Sequence, residues 1–128
     1  MPRLHLPASE KTPEILFDRA TGMLEMRGCS IHENAEGFFR PLLEMVEDYA
    51  QRPAPETTVK LTMTYFNSSS SKYILDLLKV LDEVHITGAG KVAMEWHYDQ
   101  GDLDMEEAGG DYKALLEMPV TLVRGITR

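Results

Sequence analysis

Apolar and polar positions change period at one join in the middle of the chain. Val59, Leu61, Met63 and Tyr65 alternate with Lys60, Thr62 and Thr64, the period-two pattern of a strand with one apolar face. Beyond the join, Ile74, Leu77, Leu78, Leu81 and Val84 recur at helical spacing. They predict an amphipathic helix with Lys72–Asp76 and Lys79–Glu83 as opposite-charge pairs on its outer side. Between strand and helix lies Tyr65-Phe66-Asn67-Ser68-Ser69-Ser70-Ser71-Lys72. One hydroxyl, or Asn67, is enough to cap the helix. The remaining serines then stand near solvent at the positive end of the helix dipole, where a phosphate is electrostatically favoured. The residues alone leave two readings open, a set of caps and a phosphoacceptor site.

The same periods organise the flanks. Residues 1–12 carry Pro2 and Pro7 and predict an extended N-terminal arm. Glu14–Asp18 and Met23–Arg27 alternate and are separated by a turn ending in Gly22, as in a hairpin. Ser30 followed by Glu33 and Asn34 is a helix-start signature, and Ala35, Phe38, Phe39, Leu42, Val46 and Tyr49 continue it as one apolar stripe. Pro41 inside that stripe predicts a kink, or a helix whose regular part begins just before it. Gln51–Thr58, with Pro53 and Pro55, reads as a linker. Lys91–Asp99 reads as a strand with Val92, Met94, Trp96 and Tyr98 on one face, Asp102–Asp111 as an acidic segment with a short helical turn, and Met118–Val123 as a last strand.

The unit from Val59 to Tyr98 should be a parallel, right-handed strand–helix–strand. Parallel sheets covered on both sides have nearly continuous apolar strands, whereas Thr62/Thr64, Glu95/His97 and Glu25/Arg27 line up as polar faces. The expectation is therefore a single α/β domain over residues 1–128, in the order β-β-α-β-α-β-(α)-β. Its mixed β-sheet should carry helices mainly on one face, with the other face open to solvent or a partner.

Composition narrows the function classes. At 128 residues and 43% hydrophobic, the chain has apolar material for one core. A formal charge of -8 with no Lys/Arg cluster argues against nucleic acid and anionic membrane surfaces as partners. No apolar run is long enough for membrane insertion, the N-terminus lacks a signal-peptide pattern, and the single Cys29 has no disulfide partner, so the expected setting is cytoplasmic. Gly88-Ala89-Gly90 follows a helix and lacks the spacing of a nucleotide-binding loop. His5, His32, His85 and His97 are scattered without metal-ligand spacing, and no catalytic serine–histidine–acid order stands out, so no metal, cofactor or catalytic residue is expected. His97 beside Glu95 and Asp99 is what an enzyme or small-ligand binder would use, although alternating polar residues on an open sheet need no such role.

Taken together, Thr12-Pro13-Glu14-Ile15, Gly22-Met23-Leu24, Gly28-Cys29-Ser30, Glu33-Asn34, Phe38 to Val46 with its internal Pro41, Tyr65 to Ser70, Trp96-His97-Tyr98-Asp99, Asp104 to Gly109 and Asp111-Tyr112 resemble one family in order and spacing. It is the SiaC-type regulatory phosphoproteins, small bacterial proteins with a STAS-like fold similar to anti-anti-sigma factors. The resemblance covers nearly the whole chain. It implies a non-catalytic switch phosphorylated at Ser68, with Ser69 and Ser70 as alternatives, by a histidine-kinase-like Ser/Thr kinase and dephosphorylated by a PP2C-type phosphatase. It also implies that the unphosphorylated form binds and activates a diguanylate cyclase, raising cyclic-di-GMP and promoting biofilm growth. The partner surface would comprise Tyr65, Asn67, Ser68, Ser69, Ser70 and Lys72. An anti-sigma-factor antagonist in a partner-switching pathway is the alternative output. Two positions depart from the family pattern: His32 stands where a proline often precedes Glu-Asn, and Ser71 replaces an apolar residue.

Overall fold

The computed structural model describes residues 3–125; Met1 and Pro2 of the expected arm lie outside them. Six strands form one sheet in the order β1-β2-β3-β4-β5-β6. They are β1 (Arg3–Leu6), β2 (Glu14–Asp18), β3 (Met23–Ser30), β4 (Glu56–Phe66), β5 (Lys91–Asp99) and β6 (Val120–Gly125). The helices are α1 (Ala35–Gln51), α2 (Ser68–Thr87) and α3 (Leu103–Leu115). β1, β2 and β3 pair antiparallel, and β3 to β6 pair parallel. The sheet is mixed, as expected.

Each parallel step is an adjacent-strand crossover carrying one helix. Because such crossovers share one hand, consecutive ones place their helices on the same face. The burial phase agrees: Ile15, Phe17, Leu24, Met26, Val59, Leu61, Met63, Val92, Met94 and Trp96 are all buried and join the helices' Phe39, Leu42, Val46, Ile74, Leu77, Leu78 and Leu81 in one core. The opposite face carries paired charges. Glu14 meets Arg27 at 2.8 Å and His5 at 3.0 Å, and Lys60 lies 4.0 Å from Glu25. The guanidinium of Arg27 first, and His5 second, hold the Glu14 carboxyl below the usual carboxylate range.

Four differences from the sequence expectation have local causes. Part of the N-terminal arm is a strand, because β1 pairs along β2 from Arg3↔Asp18 to Leu6↔Ile15. Ser30 does not start α1 but ends β3, and the cap is Asn34, whose side chain accepts from Gly37 N–H at 3.1 Å. Pro41 sits within α1, well after its start at Ala35, on an exposed position; its missing N–H leaves one helical bond unmade. The acidic segment is not a single turn but the 13-residue α3, capped by Asp102 on Met105 N–H at 3.2 Å. Its apolar face is too thin to announce itself, since only Met105, Gly109 and Tyr112 are buried.

Gly109 is what lets α3 approach the sheet. A Cβ there would fall within contact distance of Trp96 Cδ1 and 2.7 Å from its Nε1. That indole is fully buried and donates to Met105 C=O at 2.8 Å, so it cannot move aside. Gly109→Ala should therefore destabilise the protein: overpacking costs about 1–3 kcal/mol, more than the ~1 kcal/mol that alanine gains in a helix. Gly110→Ala meets open space and should stabilise by up to about 1 kcal/mol. Thermal melts of the two variants should shift in opposite directions.

Candidate functional site

The C-terminal ends of β3, β4 and β5 and the starts of α1, α2 and α3 lie along one edge of the sheet, as the parallel order requires. The β4–α2 joint occupies the middle of this edge. Here β4 carries one extra residue: Gly28 pairs with Met63 but Cys29 pairs with Tyr65, so Thr64 has no partner on β3. A bulge of this kind reverses the alternation. Phe66 turns inward, 6.1 Å from Trp96 and 6.4 Å from Tyr112 between ring centroids. Tyr65 is thrown out and is 58% exposed. The alternation predicted Tyr65 on the apolar face, and the bulge is the reason it is not.

Asn67 is the joint between strand and helix. Its N–H donates to Ser30 C=O at 3.1 Å, and its side chain accepts from Ser70 N–H at 2.8 Å as the cap of α2. The following serines then diverge with the rotation of the helix. Ser68 and Ser69 are exposed. Ser70 is fully buried, and its hydroxyl accepts from Ser30 Oγ at 2.8 Å. Ser70 is therefore withdrawn from the surface the sequence had assigned it to. Ser71 is half-buried, with its hydroxyl 3.1 Å from the Tyr112 hydroxyl, which itself donates to Ser71 C=O at 3.1 Å. Burial pushes the Tyr112 phenol up from its ordinary value. Lys72 is exposed, 3.3 Å from Asp76 and 4.7 Å over the Tyr73 ring. Tyr73 ties α2 to α1 by stacking on Phe39 and donating to Glu36 at 3.2 Å.

The neighbouring loop is ordered by its own contacts. His32 Nδ1 accepts from Asn34 N–H at 2.9 Å, and Lys11 meets Glu33 at 3.3 Å. The Glu33 carboxyl is held low, first by a backbone N–H of its own residue and then by Lys11. His97 meets Glu95 at 2.8 Å on the open face, and among the described residues no three His, Cys, Asp or Glu groups are placed to hold a metal. Ser30 and Tyr112 belong to the site and were not foreseen. The phase of Leu24, Met26 and Gly28 would have pointed Ser30 inward had β3 been extended to it, whereas nothing local links Tyr112 to Ser71.

The family model for SiaC family regulatory phosphoprotein matches residues 6–124. An uncharacterized protein of Pseudomonas aeruginosa is 30% identical over 122 residues, 95% of this chain and 96% of its own length. The structure of SiaC of Pseudomonas aeruginosa superposes with a TM-score of 0.87 at 30% identity, covering 98% of this chain and 100% of that one. The crystal structure of diguanylate cyclase SiaD in complex with its activator SiaC, from the same organism, matches with a TM-score of 0.89 at 30% identity over 95% of this chain and 99% of that one.

The buried serine pair gives a direct test of the joint. Ser30→Ala leaves the Ser70 hydroxyl buried without its partner and should cost about 1–3 kcal/mol, while Ser30→Ala/Ser70→Ala should cost clearly less than the sum of the two single changes. Urea titrations of the four proteins measure the coupling, and strict additivity would refute the bond. Asn67→Ala should cost about 1 kcal/mol as a lost cap.

Proposed function

Since the chain belongs to the SiaC family of regulatory phosphoproteins, we propose that it is a non-catalytic regulator that binds and activates a diguanylate cyclase and releases it when Ser68 is phosphorylated. The observation carrying this reading is the likeness to a SiaC solved as activator in complex with the cyclase SiaD. Activation would raise cyclic-di-GMP and favour biofilm growth. A histidine-kinase-like Ser/Thr kinase and a PP2C-type phosphatase would set the phosphate level, in the cytoplasm where the cyclase finds its nucleotide.

The geometry supports Ser68 as the acceptor. It is the first residue of α2 and exposed, as is Ser69, whereas Ser70 and Ser71 are committed to Ser30 and Tyr112. A phosphate on Ser68 meets the positive end of the dipole, worth about 0.3–2 kcal/mol, so the fold tolerates it. The one nearby lysine of the helix start, Lys72, is already engaged by Asp76. A partner that buries this end must therefore desolvate a dianion without a matched cation, at a cost of several kcal/mol. Tyr65, exposed beside the serines, supplies the apolar anchor such a partner would cover.

Ser68→Ala should activate the cognate cyclase as the unmodified protein does and resist the kinase. Ser68→Asp should bind it about tenfold or more weakly, with the melting midpoint moved by no more than about 3 °C. Titration calorimetry and cyclic-di-GMP synthesis read these outcomes. Phosphate mapped only to Ser69 would move the site by one residue, and phosphorylated protein that activates at full strength would overturn the switch. Capture of an anti-sigma factor instead of a cyclase would favour the antagonist role.

A further inference from the structure

The far end of the helical layer carries a second feature that the switch does not use. α1 and α2 run in the same direction, and their C-terminal halves enclose an open groove of about 400 Å³. Ala50, Val80 and Val84, all at least half-buried, give it an apolar floor, exposed Ala89 lies at its rim, and Glu47 and Glu83 line it from one helix each. Both carboxylates are exposed, and every ion pair among the described residues lies elsewhere. The expected Lys79–Glu83 pair is not formed, while Lys72–Asp76 is. The groove also lies between two helix C-termini, whose carbonyl ends add negative potential; the basic groups at these ends are Arg52, the cap of α1, and His85 in the last turn of α2, and neither lines the groove. An apolar floor within an acidic frame fits a cation on an aliphatic stem.

We propose that this groove docks a basic amphipathic helix of a partner protein, with aliphatic side chains on the floor and flanking Lys or Arg residues meeting Glu47 and Glu83. A second copy of this chain does not supply such a helix. α1 carries Glu36, Glu44, Glu47 and Asp48 against Arg40, α3 carries Asp104, Glu106, Glu107 and Asp111 against Lys113, and α2 is acidic on balance. Glu83 follows Ser68 by 15 residues along α2, which at about 1.5 Å per residue puts the groove roughly 22 Å from Ser68. A partner held here stays bound whether or not the switch is phosphorylated, which gives the regulator a tether independent of its output.

The test uses a fluorescein-labelled synthetic helical peptide with leucines at i, i+3, i+4 and i+7 and lysines elsewhere, titrated against the full chain by anisotropy. Glu47→Lys/Glu83→Lys should weaken binding about tenfold, and replacing the peptide's leucines with serine should abolish it. Asp104→Lys/Glu107→Lys makes the same change in net charge on α3 and should alter binding by less than about twofold. Equal losses in the two double variants would reduce the effect to net charge and overturn the proposal. Ser68→Asp should bind the peptide as the unmodified protein does; loss there would place the contact at the switch. Amide shift mapping on the unmodified chain guards against misfolding of the variants: perturbations should cluster at 47–51 and 80–89, and a cluster elsewhere, or self-association removed by Glu47→Lys/Glu83→Lys, would refute a docked partner helix.

Discussion

The shared hand of the strand–helix–strand crossover governs this molecule. β3, β4, β5 and β6 are neighbours in the sheet in the order they occur in the chain, so the three crossovers place their helices on the same side. One side of the sheet then holds the whole apolar core, and the other keeps an array of paired charges such as Glu14–Arg27 and Glu25–Lys60. The same constraint sorts the helix ends. All three N-termini, with their unpaired N–H groups and positive dipole ends, open on one edge, and all three C-termini on the other. That the serines stand at one edge and Glu47 and Glu83 at the other follows from one topological fact.

Within the serine edge, helical rotation makes chemically identical residues inequivalent. Successive residues turn by about 100°, so a run of four serines cannot share one environment. Ser70 reaches inward to Ser30, Ser71 reaches sideways to Tyr112, and Ser68 and Ser69 face solvent. The two inner hydroxyls fasten the first turn of α2 to β3 and α3, and the outer two remain at the surface. The proposed phosphate would then sit on a helix start that is already held in place, and would act through surface charge and not through unfolding.

Position along the edge depends on the bulge at Thr64. It inserts one residue into β4 against β3, turning Phe66 into the aromatic cluster with Trp96 and Tyr112 and sending Tyr65 outward. The aromatic cluster is also where α3 docks, with Gly109 against Trp96 and the Tyr112 hydroxyl donating to Ser71 C=O. The join, the third helix and the exposed Tyr65 are thus parts of one packing arrangement.

Local pattern was enough for the elements whose periodicity is strong. The β4 and β5 alternation, the α2 stripe, the polar second face and the one-sided covering were all legible, because burial on one face imposes period two on strands and 3.6 on helices. The serine run and its cap were legible too, since capping acts within one turn. The polar partners of the site were not: Ser30–Ser70 spans 40 residues and Ser71–Tyr112 spans 41, and no short-range pattern encodes a contact made by sheet order. Asp82 shows the same limit, a carboxylate in α2 buried by accepting from the backbone N–H groups of Glu117 and Met118. α3 gives only a weak local signal, because Met105 and Tyr112 are its sole large buried residues and its closest approach to the sheet is a glycine. The sequence by itself determined the strongly periodic strands and helices and the run of serines that opens α2. Only the tertiary structure decided which serine hydroxyls face solvent, because that depends on partners brought from distant strands and helices.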